Sequence, residues 1–260
     1  MSSTPGVIAY LASAVVGLVV GCGLTSVIER VPAHVSLMSP GPRCPTCAAP
    51  VLLRDDVPVV SWVLLRARCR ACSQAISARY PAVEAVTAAL FVGVTLRFGV
   101  RPVVLAYWLF AATLVAVSAI DLEHFIVPNH IVYPVLAVTV PLLAVLALTD
   151  GTPFSLARAA IGGAVGFGVL VIIHLVQPSG MGFGDVRLAG VIGIYLGWLG
   201  IGEVALGLVL GFVVAAVVGI GLLAAGRAGR KTKVPFAPFL AVGAMATVFW
   251  GTPLLALWKL

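Results

Sequence analysis

Two aspartates carry the strongest chemical suggestion in this sequence. Asp185 closes the run Gly180-Met181-Gly182-Phe183-Gly184-Asp185, and Asp121 follows an apolar run and opens Asp121-Leu122-Glu123-His124-Phe125-Ile126-Val127-Pro128-Asn129. A carboxylate at the edge of an apolar segment is costly to keep there, and such residues are functional by default. Two of them at one membrane depth suggest aspartyl chemistry, in which one carboxylate deprotonates water and its protonated partner polarises a carbonyl. At ~4 Å and an effective dielectric of ~20, two negative charges repel by about 4 kcal/mol, so the pair shares one proton and titrates as a unit. Gly182 and Gly184 free the backbone beside Asp185 and are expected to leave room there for an extended peptide.

A second constellation is Cys44-Pro45-Thr46-Cys47 and Cys69-Arg70-Ala71-Cys72, with 21 residues between the pairs. Four thiolates in two such knuckles can close a tetrahedron round zinc, and a polar loop of ~50 residues with few large apolar side chains needs such a staple. Two disulfides are the alternative, but a cytoplasmic loop is kept reduced. With Cys44, Cys47, Cys69 and Cys72 all bound, no position is open for water, which makes the expected zinc structural rather than catalytic. The fifth cysteine, Cys22, stands among Val, Leu and Gly and reads as a small packing residue.

The elements that must position these residues are membrane helices. Of the 260 residues 61% are hydrophobic and 10% charged, which excludes an ordinary soluble domain. With about 20 apolar residues needed per crossing, eight spans are expected near 6–28, 82–98, 103–120, 130–148, 157–176, 186–200, 203–225 and 236–258. The 82–98 and 186–200 segments are short enough to be tilted or buried among their neighbours. The expected architecture is therefore an all-α polytopic membrane protein. It comprises a first helix (1–28), a cysteine module (29–81) and a helical domain (82–260).

The net charge of +7 is read against topology, not as a sign of nucleic acid. Most of it lies in segment 29–81, with Arg30, Arg43, Arg54, Arg66, Arg68, Arg70 and Arg79, and in segment 226–234, with Arg227, Arg230, Lys231 and Lys233. The positive-inside rule turns both toward the cytoplasm. Counting eight spans from there puts the N-terminus outside and brings both aspartates to the cytoplasmic side. The first apolar run lacks a basic leader and a small-residue cleavage site, and is read as a retained helix.

Among the remaining polar residues, Glu84 lies one turn into the second span, where an acid is favoured by the helix macrodipole; its other reading is in the mouth of the active site. Glu123, His124 and His130 fit interfacial positions and His174 a buried hydrogen-bonded one, with no metal-ligand partner at useful spacing. Gly162, Gly163, Gly166 and Gly168 offer a small-residue face for close helix packing. Val234-Pro235-Phe236-Ala237-Pro238 is a proline-bounded entry to the last span, on the side of both aspartates, where it is expected to help wall the site. No nucleotide-binding loop, serine–histidine arrangement or kinase signature occurs.

Taken together, these residues resemble the prepilin peptidases, or type IV leader peptidases, over nearly the whole chain. The likeness rests on the paired CxxC motifs with Val57-Pro58 and Ser61-Trp62 between them, Arg79-Tyr80-Pro81 with Glu84, Asp121 before Ile126-Val127-Pro128, and Gly182-Phe183-Gly184-Asp185. The resemblance implies an enzyme of the bacterial inner membrane that cuts the basic leader from prepilin or pseudopilin precursors, serving type IV pilus or type II secretion assemblies. Cleavage would occur at the cytoplasmic face with Asp121 and Asp185 as the catalytic pair. In many members it also implies methylation of the new N-terminal amine with S-adenosylmethionine. The chain departs from the family pattern at Thr25, where Asn is common, at Ala67, where Gly often precedes the third cysteine, and at Ala237, where Gly is usual; none of the three is expected to touch the two acids, and Thr25 and Ala67 bear on the methylation. Three other readings stay open: a GxGD protease that cuts within other membrane helices, an ion or solute transporter with intramembrane acids, and a zinc-module scaffold without catalysis.

Overall fold

The computed structural model describes residues 4–37, 41–178, 181–227 and 233–258. Gly180 of the glycine run and Arg230 and Lys231 of the basic loop fall outside them. Among the described residues there are nine α-helices and no strand beyond two isolated bridges, in agreement with the all-α expectation. The chain forms two compact units, residues 1–104 and 105–260.

The first unit contains α1 (Thr4–Arg30), α2 (Val60–Leu64) and α3 (Arg79–Phe98). Glycines at four-residue spacing let α1 and α3 pack backbone to backbone. A Cβ at Gly17 would lie 2.6 Å from the Ala88 Cα, and one at Gly21 would lie 2.7 Å from the Glu84 Cα. As the contact moves up α1 it moves down α3, so the helices are antiparallel, and the buried Ser13 and Thr95 hydroxyls bridge them at 2.8 Å. Gly99, at φ 70° and ψ −163°, ends α3 in an extended positive-φ conformation open essentially to glycine alone.

The second unit holds α4 (Val103–His124), α5 (Asn129–Thr149), α6 (Pro153–Val176), α7 (Phe183–Leu199), α8 (Ile201–Ala224) and α9 (Ala237–Trp258). Seven of the described helices are long and apolar enough to cross a membrane: α1, α3, α4, α5, α6, α8 and α9. The eighth expected span, 186–200, is α7, whose 17 residues reach only about 26 Å against a hydrocarbon core of about 30 Å. It is apolar nearly all round and buried to match, with Val186, Leu188, Ala189, Val191, Tyr195 and Leu196 fully enclosed. Walled by protein, it can carry the chain to the far side without matching the full hydrocarbon thickness, and α8 then returns the chain so that α9 starts on the side of Asp121.

α7 packs on α6 through glycines from both sides. A Cβ at Gly162 would come within 2.3 Å of the Gly193 carbonyl, and Gly163 and Gly166 face α7 similarly. Gly168, grouped with them from sequence, has nothing within 4 Å and takes no part in this contact. The α8–α9 pair uses the same device, with Gly243 against the Gly211 backbone. A polar and aromatic clamp holds α4 to α7. The Tyr107 hydroxyl donates to the Tyr195 carbonyl at 2.8 Å, the Tyr195 hydroxyl meets Thr139 of α5 at 2.7 Å, and the Phe110 and Tyr195 rings stack at 4.2 Å. Tyr107 precedes Asp121 on α4 and Tyr195 follows Asp185 on α7. With this clamp at one end and Asp121 acting on Asp185 at the other, α4 and α7 run antiparallel.

Candidate active site

α4 runs four residues past the expected end of its span, so Asp121 sits in its last turn and not in the following loop. The side chain is 4% exposed. Its Oδ2 accepts the backbone N–H of Ala237 at 3.0 Å, and the Phe236 N–H faces the same carboxylate. The proline-bounded entry to α9, expected as a wall of the site, thus reaches it through a backbone N–H, and residue 237, expected to stand clear of the acids, touches Asp121 because that contact is made by the main chain.

Asp185 lies in the first turn of α7, whose N-cap is Gly182. Its N–H bonds the Gly182 carbonyl at 3.1 Å, the Gly182 N–H faces its carboxylate, and the side chain is 7% exposed. Oδ1 of Asp185 is buried and has no hydrogen-bond partner among the described residues. The charge of Asp121 acts on Asp185 directly, so the fold brings the two carboxylates into electrostatic reach across 63 intervening residues. Two buried acids, one with an unsatisfied oxygen, form a centre that can hold a shared proton and bind a polar group presented to it.

The close approach expected at Gly184 is made by the chain itself. A Cβ there would lie 2.7 Å from the Cβ of Val127, so Gly184 seats the 125–128 segment against the start of α7. The space at Gly182 is open but for the Asp185 carboxylate, 3.5 Å from where its Cβ would be. His174, expected to be buried and hydrogen-bonded, is only half-buried; its Nδ1 meets the Met181 carbonyl at 2.9 Å and its ring packs against Phe183. Arg187 is engaged by the Asn129 side chain and lies over the Phe183 ring.

In the first unit the four cysteines converge. The sulfurs of Cys44, Cys47, Cys69 and Cys72 all lie within 4.8 Å of one another, with no disulfide, and Cys44 Sγ is 3.8 Å from Cys72 Sγ. A tetrahedron of thiolates at about 2.3 Å from a metal has edges of about 3.8 Å, so the donor set fits a metal ion. The two knuckles are built alike: the fourth residue after the first cysteine of each, Ala48 or Ser73, turns with positive φ and returns its N–H to that cysteine's carbonyl at 2.9 Å. Backbone N–H groups of Cys47 and Thr46 bring the Cys44 thiol down to about 6, toward the thiolate a metal needs.

The residues between the knuckles are ties. The Ser61 hydroxyl takes the Val57 N–H at 2.9 Å and donates to the Arg54 carbonyl, while the Trp62 indole donates to the Ile76 carbonyl at 3.1 Å. Arg70 forks onto Asp55 and holds that carboxyl below its usual range. Ala67 has φ 58°, left-handed backbone that favours glycine.

Glu84 does not act as a free acid at a helix N-terminus. It is 7% exposed and accepts the N–H of Val59 at 2.7 Å, so it caps α2 from a neighbouring helix. With Cys22, Thr25, Asp56, Trp62 and Tyr80 it lines a cavity of about 920 Å³ in the first unit, within the size range of cofactor sites. Burial pushes the Asp56 carboxyl up. Thr25 turns its hydroxyl back to the Cys22 carbonyl of its own helix at 2.7 Å.

Comparison with known proteins covers both units. The model of the bacterial peptidase A24 N-terminal domain matches residues 15–98, and that of the type IV leader peptidase family matches residues 108–225. A prepilin leader peptidase/N-methyltransferase of Burkholderia pseudomallei (strain 1026b) is 35% identical over 232 residues, 86% of this chain and 72% of that protein. A protein of the same description from Aeromonas hydrophila is 36% identical over 223 residues, 83% of this chain and 73% of its own. One from Bacillus subtilis (strain 168) is 29% identical over 240 residues, 92% and 94% of the two chains. No solved structure matches.

Proposed function

Because the chain belongs to the type IV leader peptidase family, we propose that it is a membrane aspartyl endopeptidase that removes the leader from prepilin-like precursors, with Asp121 and Asp185 as its two acids. The observation that carries this reading is the pairing itself: the two buried carboxylates among the described residues of the second unit lie within electrostatic reach of each other, one with an oxygen that no described residue satisfies. One carboxylate takes a proton from water as the water oxygen bonds to the scissile carbonyl carbon, and the other gives its proton to the carbonyl oxygen. The apolar helix of the precursor lies in the bilayer, and its leader reaches the acids at the helix ends. A transporter would more naturally hold such acids at the midplane, whereas Asp121 and Asp185 occupy a last and a first helical turn.

The basic segments that flank the spans argue for a cytoplasmic active site in a bacterial inner membrane. Cysteines introduced singly near 125 and 227 in a cysteine-free background are expected to react with impermeant reagent only from the cytoplasmic side; labelling from the outer side alone overturns the orientation. For the activity, Asp121→Asn and Asp185→Asn each remove a titrating carboxylate at constant size. Each is expected to abolish cleavage of a leader-bearing precursor in proteoliposomes, with little further loss in the double variant. A normally expressed single variant that cleaves at near wild-type rate refutes the mechanism.

The first unit supports a second activity. Its curated relatives are described as N-methyltransferases as well, and its cavity has room for S-adenosylmethionine. In this reading Cys44, Cys47, Cys69 and Cys72 hold a structural zinc that shapes the cavity wall. Glu84 serves that wall by fixing α2. When bound, S-adenosylmethionine supplies the methyl group for the amine exposed by cleavage. Mass analysis of the cleaved product is expected to show the added methyl only when the donor is present; no added mass at saturating donor removes this half and leaves the peptidase.

A further inference from the structure

The two aspartates are not held alike, and the difference lies in α9. Asp121 receives backbone N–H groups from the first turn of α9, with Ala237 at 3.0 Å and Phe236 beside it. These are donors that a helix leaves unsatisfied at its start, and they carry the positive end of its dipole. Without them Asp121 would face the negative end of its own helix, because it lies in the last turn of α4. Asp185 has the Gly182 N–H on its carboxylate and the favourable end of α7, but its Oδ1 is enclosed with no donor among the described residues. A buried oxygen without a donor is expensive as part of an anion and inexpensive as the hydroxyl of an acid, which becomes the donor instead.

Resting on the peptidase reading, we propose that the N-terminal turn of α9 is the third part of the aspartyl centre. Its Ala237 N–H holds Asp121 as the carboxylate base and leaves Asp185 to carry the proton on Oδ1. Asp121 then accepts a proton from water as the water oxygen bonds to the scissile carbon, and Asp185 delivers its proton to the carbonyl oxygen, giving a gem-diol. On collapse, Asp121 passes its proton to the leaving amine as the C–N bond breaks, and a diol hydroxyl returns a proton to Asp185. Both acids end as they began. Ala237 acts through Asp121 and is a positioning residue.

The groups around Asp121 permit this assignment. On α7, Asp185 is the titratable group that feels the charge of Asp121, and Arg187 is engaged by Asn129. Glu123 and His124 on its own helix lie 3.9 Å apart and are exposed. The first turn of α9, Ala237–Leu240, carries no ionisable side chain. Sequence alone gave no reason to pair residue 237 with residue 121, since a backbone donor leaves no mark on residue type.

The test removes one N–H. Ala237 is the first residue of α9, where proline is tolerated because that N–H makes no intrahelical bond. Ala237→Pro deletes the donor, while Ala237→Gly keeps it and controls for the lost methyl group. The acid limb of the pH profile for precursor cleavage is expected to move up by roughly one pH unit in Ala237→Pro and to stay at the wild-type position in Ala237→Gly. A limb that stays put in Ala237→Pro, with the rate reduced equally at every pH, or one that moves as far in Ala237→Gly, overturns the proposal. Should Ala237→Pro not fold, carbon-13 spectra of the wild type with labelled aspartate decide, using Asp121→Asn and Asp185→Asn to assign the signals. The protonated carboxyl is expected to be Asp185; finding it on Asp121 overturns the assignment. Either failure leaves the dyad intact, whereas active Asp→Asn variants would remove the peptidase reading itself.

Discussion

Replacing Gly193 by alanine should loosen α7 from α6 and damage the centre eight residues away. A Cβ at Gly193 would lie 2.1 Å from the Gly162 carbonyl oxygen, 2.7 Å from its carbon and 3.1 Å from the Gly163 Cα. All three are backbone atoms, so no side chain can rotate aside. The helices must separate by about 0.9 Å before the closest of these distances reaches even 3.0 Å. Overpacking of this kind costs about 1–3 kcal/mol, offset by roughly 0.5–1 kcal/mol because alanine is the better helix former. Gly168→Ala, with nothing within 4 Å, keeps the gain and escapes the clash, so the two variants should differ by about 1–3 kcal/mol in opposite directions from wild type. Asp185 lies in the first turn of α7, and a misplacement of ~1 Å can cost ~10²-fold in rate. Equilibrium unfolding in mixed detergent micelles measures the first effect and precursor cleavage the second. If Gly193→Ala unfolds no earlier than Gly168→Ala and cleaves at the wild-type rate, the backbone contact does not position the site.

Two further outcomes follow from the first unit. Ala67 sits at φ 58°, a conformation that costs an L-residue roughly 1–2 kcal/mol and glycine almost nothing. Allowing for the extra freedom glycine gives the unfolded chain, Ala67→Gly should stabilise the cysteine module by about 0.5–1 kcal/mol, visible as later loss of metal on heating; an earlier loss refutes the strain. Metal analysis should find one zinc per chain, lost when all four cysteines become serine. After chelation Cys44 should be the first cysteine alkylated at pH 7, because its thiol lies at about 6 instead of 9, with the rate falling as pH drops through that value. Zinc that survives the fourfold replacement, or a Cys44 no faster than Cys47, contradicts the site.

By itself the sequence determined what depends on residue type and on spacing along the chain. The apolar fraction fixed the membrane class, because a long apolar run has few other stable fates. The paired CxxC motifs announced four convergent thiols, because each knuckle is local and builds its own turn. Asp121 and Asp185 stood out because carboxylates are rare beside apolar runs. What only the tertiary structure decided is which apolar faces meet protein. In a bilayer, lipid-facing and core-facing side chains are equally apolar, so periodicity could not reveal that α7 is enclosed, that Gly168 faces away while Gly162 and Gly166 bind α7, or that Val127 fills the space at Gly184. The backbone donors were hidden for a related reason. Every residue but proline carries an N–H, and nothing in the identities of Val59 and Ala237 foretold that these amides would be spent on Glu84 and Asp121.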